Sequence, residues 1–133
     1  MSRVVEVPLS FDDRTFEQFA QSFAAGPLTD RMLFDARAAQ WASPFGLLAM
    51  LTAAQAIREA GGPTPGFTVP SQEEVRRYWG RAGFFRYASD LFELHGRVPR
   101  TKPDEHSDVL LDVMPVRASE DVHTVVGLSL IHI

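Results

Sequence analysis

The chain contains no cysteine. That excludes a disulfide framework, a thiolate nucleophile and a cysteine-ligated metal, and it suits a reducing cytoplasm. No run of about 18 apolar residues occurs, which excludes a hydrophobic helical membrane span. The N-terminus Met1-Ser2-Arg3-Val4-Val5-Glu6 lacks the apolar core of a secretory signal. Neither G-x-x-x-x-G-K-[ST] nor G-x-G-x-x-G is present, so neither common nucleotide-phosphate loop is available. Gly61-Gly62 runs directly into Pro63 and reads as a helix stop. Excess positive charge is also lacking. The net charge of −4 argues against whole-molecule attraction to nucleic acid.

What is present is ordinary for one globular domain: 133 residues, 45% hydrophobic and 23% charged. Val4 to Leu9 is rich in β-branched residues and predicts a first strand. Ser10-Phe11-Asp12-Asp13 supplies helix-start chemistry. Phe16, Phe19, Ala20 and Phe23 recur at helical spacing, predicting a helix over 13–24 that Gly26-Pro27 stops. Met32 to Ala36 predicts a buried strand. Ser43 then reads as an N-cap and Pro44 as the first helical residue. Leu47, Met50, Leu51, Ala54 and Ile57 form the inner stripe of that helix. Phe67-Thr68-Val69 predicts a further strand. Ser71 and Glu74 have capping-box spacing ahead of a helix whose inner face is Val75, Tyr78, Trp79 and Ala82. Phe84 to Asp108 is poorly periodic, with a short strand or helix near Leu91 to Leu94 and a mobile loop from Arg97. Val109 to Val116 predicts a strand and Ser119 to Val126 a helix. The alternation predicts an α/β fold, a single sheet of about four strands with helices packed on it.

The last six residues, Leu128 to Ile133, can be encoded by CTGTCTCTTATACACATC, a transposon-end adaptor sequence. They are expected to be an artefact, with domain residues 1–127 continuing into a longer natural protein.

Few residues suggest chemistry. Asp104-Glu105-His106-Ser107-Asp108 is the densest set of metal-capable side chains, without recognised ligand spacing, and reads as a solvated loop. A small metal-dependent enzyme built on it is the remote alternative. His95 and His123 stand alone. Ser43 sits on a strand-to-helix turn, but its surroundings are not G-x-S-x-G. No catalytic, cofactor-binding or metal residue is assigned, and no cofactor is implied. Arg76, Arg77, Arg81, Arg86, Arg97, Arg100 and Lys102 make a basic stretch interleaved with aromatics. The helical spacing of those aromatics points to core, so the arginines read as a solvated face or a contact for an acidic partner. Ser43, Pro44, Phe45, Gly46 and Leu47, with Arg76 and Arg77, are the candidate partner-binding residues. Gly46 in the first helical turn implies close approach of another backbone.

The order from Met32 to Phe85 resembles the STAS domain of sulfate transporters and anti-sigma-factor antagonists. An apolar strand leads to Trp41-Ala42-Ser43-Pro44-Phe45-Gly46-Leu47, then an apolar helix ending in Gly-Gly, strand-Pro, and a helix ending in Ala82-Gly83-Phe84-Phe85. Aligning Gly46-Leu47 with the family's Gly-Leu puts Pro44 where partner kinases phosphorylate a serine. A one-residue slip would make Ser43 the phosphosite, giving a phosphorylation-switched antagonist. The Ser-Pro-Phe-Gly-Leu variant is similar to STAS-like segments that precede a histidine-kinase-like ATPase domain. The resemblance implies a non-enzymatic, bacterial, cytoplasmic regulatory module that acts in signal transduction through a protein partner or an adjoining ATPase domain.

Overall fold

A computed structural model describes residues 2–98. The strand expected at Val109 to Val116, the helix expected at Ser119 to Val126, the Asp104 to Asp108 cluster and His123 lie outside the described residues.

Among the described residues the architecture is mixed α/β: four helices and a four-stranded parallel sheet, with the helices packed against it. Strands β1 (Ser2–Glu6), β3 (Arg31–Asp35), β5 (Gly66–Thr68) and β6 (Glu93–His95) lie side by side in that order. Val4 faces Leu33, Leu33 faces Gly66, and Gly66 faces Glu93 across the sheet. Two residues each form β2 (Ser10–Phe11) and β4 (Trp41–Ala42), a separate parallel pair. The first strand therefore ends earlier than its β-branched run suggested. Pro8 carries no N–H for a ladder, and the chain resumes as β2 two residues later.

Helix α1 (Phe16–Phe23) buries Phe16, Phe19, Ala20 and Phe23, the predicted stripe. It starts later than expected because Asp12 and Thr15 build a turn first. The Asp12 carboxylate accepts the Arg14 and Thr15 N–H groups at 2.9 and 3.3 Å, and Thr15 Oγ1 accepts the Asp12 N–H at 3.1 Å. Helix α2 (Pro44–Glu59) buries its predicted stripe together with Leu48, Ala49, Thr52 and Ala53, so it runs through the centre of the helical layer. Its C-terminus is a Schellman closure. Gly62 N–H reaches Ile57 C=O at 3.0 Å, and Gly61, at φ 78°, donates to Arg58 C=O at 3.1 Å.

Helix α3 (Glu73–Arg81) buries Val75 and Trp79, with Tyr78 packed partly against the core. The capping box does not form. The Ser71 hydroxyl and N–H both donate to Arg37 C=O at 3.0 Å, and the helix begins after Gln72 instead. Gly83, at φ 94°, ends α3 and directly starts α4 (Phe84–Leu91), a helix where the sequence looked irregular. Phe84, Phe85 and Ala88 anchor it. Aromatic rings link the layers: Phe11–Phe19, Phe19–Phe34, Phe34–Phe92, Phe67–Phe92 and Phe67–Phe84 lie 4.8 to 5.9 Å apart. This core covers one face of the sheet, through Val5, Met32, Phe34 and Phe67. Val4 on the other face is 50% exposed.

Candidate functional site

The Ser43 to Leu47 turn is held from both sides. Ser43 N–H donates to Phe11 C=O at 2.9 Å, continuing the β2–β4 pairing. Ser43 is the N-cap of α2. Its hydroxyl accepts the Gly46 N–H at 3.2 Å, and Pro44 follows as the first helical residue. Gly46 is the point of closest approach. A Cβ there would lie 2.5 Å from the Phe11 carbonyl oxygen. The neighbouring backbone that the glycine implied is thus inside the domain. Leu47 is fully buried, and Phe45 is half-buried edge-on against Phe16 at 5.3 Å. Of the five turn residues only Ser43, Pro44 and Phe45 keep partial access to solvent.

Beside the turn stands a pair that the sequence reading did not single out. Trp41 is 43% exposed and Leu9 is 54% exposed. They are neighbours because Leu9 C=O accepts both the Gln40 N–H at 2.8 Å and the Trp41 N–H at 3.1 Å. Ala42 is buried and Trp41 faces out, as alternation along a strand requires. The available signal was a tryptophan lying outside any helical stripe.

An open groove of ≈ 960 Å³ lies at the carboxyl ends of β1 and β3. That is where parallel α/β sheets generally receive ligands. Its lining includes Glu6, Leu9, Ser10, Thr15, Asp35 and Arg37. The Asp35 carboxylate is already engaged: Oδ1 accepts the Arg37 N–H at 3.1 Å and its Nε at 3.0 Å, and Oδ2 accepts Nη2 at 3.0 Å. The Arg37 guanidinium therefore holds the Asp35 carboxyl below its ordinary range, against the opposing effect of burial. Thr15 Oγ1 donates to Ser10 C=O at 2.8 Å. Among the described residues the lining includes no histidine. Among the described residues no group of three or more His, Asp or Glu side chains is placed to hold a metal ion.

Comparison with protein-family models, with curated proteins and with solved structures yields no match.

Arg76 and Arg77 do not line the groove. Arg76 Nη1 donates to Pro70 and Ser71 C=O, both at 2.8 Å, and so fastens the approach to α3. Arg77 pairs with Glu73 at 3.0 Å in a largely exposed i,i+4 contact, of the kind worth about 0.3–0.5 kcal/mol. His95 is exposed on β6 and lies against Gly66, away from the groove lining. No described helix is long and apolar enough to cross a membrane.

Proposed function

We propose that this chain is a STAS-like, non-enzymatic interaction module that docks a protein partner, with an adjoining ATPase domain as the partner the sequence resemblance implies. Exposed Trp41, set beside Leu9 and the half-exposed Ser43-Pro44-Phe45 turn, carries this reading. A large aromatic left outside the core and mounted on a fixed backbone is the usual form of an interface anchor. Ser43 serves as a helix cap, and Pro44 has no hydroxyl to modify; both features favour docking over a phosphorylation switch. Bacterial origin and cytoplasmic location belong to the same proposal.

Sequencing genomic DNA beyond the Gly127 codon tests the proposal first. An ATPase reading frame in phase is the expected result. In the complete protein, Trp41→Ala should then change ATPase turnover several-fold without moving the thermal midpoint. A frame without such a domain would remove the proposed partner, and unaltered turnover would remove the proposed surface. Phosphate found on Ser43 after incubation with a partner kinase would replace docking by switching.

A further inference from the structure

Strands β1, β3, β5 and β6 are joined through α1, through α2 and through the α3–α4 pair, and each connection steps to the next place in the sheet in the same direction. Parallel crossovers are right-handed almost without exception, so a sheet that never reverses its order collects its helices on one face. Parallel sheets are generally covered on both faces. Here the second face is bare among the described residues, and Val4 on it is 50% exposed.

The strand register lays that face out in rows. Val4, Leu33 and Gly66 form an apolar row across the middle, ending at Glu93 on the outermost strand. Gly66 adds no side chain, and a recess of ≈ 450 Å³ opens there, with Val4, Leu33 and His95 in its lining. At the amino ends of the strands Ser2 stands opposite Arg31, and at the carboxyl ends Glu6 stands opposite Asp35. Asp35 is held by Arg37 at 3.0 Å. Among the described residues the Arg31 guanidinium and the Glu6 carboxylate form no salt bridge, although Glu6 is near enough to Arg37 to act on it. The face therefore carries an unbridged cation at one end, an unbridged anion at the other and an apolar strip between them. None of these residues belongs to the β2–β4 pair that carries Trp41.

That layout is self-complementary. We propose that the open face binds the same face of a second copy of the chain. A two-fold axis lying in the contact and crossing the strands reverses their direction. It sets the Arg31 end of one copy over the Glu6 end of the other and keeps the apolar rows together at the centre. Arg31 then meets Glu6 of the partner subunit, and symmetry makes the contact twice. Sheets packed face to face lie about 10 Å apart, a gap that an arginine largely spans. The area sets the strength. Four strands about 4.8 Å apart and at most five residues long make roughly 300 Å² of sheet. A standard interface takes about 800 Å² from each partner, so this pair is weak and reversible.

Sedimentation velocity of the intact 133-residue chain from about 10 μM to about 1 mM, a range suited to weak pairs, tests this. The weight-average mass should rise toward twice the monomer's, and the association constant should fall at least about threefold between low and high salt. Arg31→Glu and Glu6→Arg should each weaken association at least about tenfold. Mixed in equal amounts, the two variants should associate within about threefold of the parent, because each reversed charge then meets its opposite. Circular dichroism melts establish that both variants are folded, and the salt dependence of the parent needs no substitution. A monomer at every concentration would overturn the proposal. Association indifferent to salt and to both reversals, or a mixture no stronger than either variant alone, would overturn it as well.

Discussion

Replacing Gly46 by alanine should destabilise the domain, although in an open helix the same change stabilises. Alanine gains up to about 1 kcal/mol over glycine inside a helix. Here the new methyl would sit 2.5 Å from the Phe11 carbonyl oxygen, 3.0 Å from its Cγ and 3.1 Å from its carbonyl carbon. Phe11 cannot retreat easily. Its ring is fully buried, 4.8 Å from Phe19, and its carbonyl accepts the Ser43 N–H that sets the N-cap. Overpacking of this kind costs about 1–3 kcal/mol, and loss of the cap geometry adds roughly 0.5–2 kcal/mol. The net expectation is a loss of about 1–3 kcal/mol, or roughly 4–10 °C in thermal midpoint for a domain of this size. Circular dichroism melts and urea titrations of the parent and Gly46→Ala measure it. Phe11→Leu in the same chain should not rescue stability, because the nearest obstacle is backbone. A Gly46→Ala midpoint at or above the parent's would refute the reasoning, and rescue by Phe11→Leu would move the obstacle to the ring.

Ser43→Ala should lose about 1 kcal/mol in urea unfolding, while Ser43→Asp, which can still accept the Gly46 N–H, should stay within about 0.5 kcal/mol of the parent. Trp79 is fully buried, and its Nε1–H has no partner among the described residues. Trp79→Phe should therefore cost under about 1.5 kcal/mol, since the relieved donor offsets lost volume, against roughly 3–5 kcal/mol for Trp79→Ala. Equal losses in the two Trp79 variants would show that volume alone matters. The Asp12 carboxyl lies below its ordinary pKa, chiefly through the side-chain hydrogen bond from Arg14, helped by backbone N–H bonds and opposed by burial. A depressed folded-state pKa stabilises the fold above about pH 4 and stops doing so as pH falls through the folded value. Asp12→Asn should consequently flatten the acid limb of the melting-temperature profile, and an unchanged limb would assign acid sensitivity to other groups.

Legibility in the sequence followed the strength of periodicity. The stripes of α1 and α2, the Ser43-Pro44 start and the Gly61-Gly62 stop were readable because each rests on local chemistry within a few residues. Helix α4 was not readable. It is short, follows α3 across Ala82 and Gly83 alone, and places Phe84 and Phe85 side by side, which blurs a 3.6-residue pattern. Ser71 had the right spacing for a cap, but a carbonyl more than thirty residues earlier, that of Arg37, captured its hydroxyl. The Ser43 to Leu47 turn was visible as a site, yet only burial separates its inner residues, Gly46 and Leu47, from its outer three. Trp41 and Leu9 become a pair only through β2 and β4, two-residue strands below the length at which alternation can be recognised.

The tight crossing of Gly46 over Phe11 also divides this region into parts that can and cannot accept foreign sequence. Residues 43–47 are fixed at both ends, so an insertion there would unseat α2, the longest of the described helices. Just before β4, Ala38 is exposed and bears less on the interior than its neighbour Ala39, which is buried in the core. A grafted epitope or affinity tag belongs there, where it would be displayed beside Trp41 while the central helix keeps its anchor.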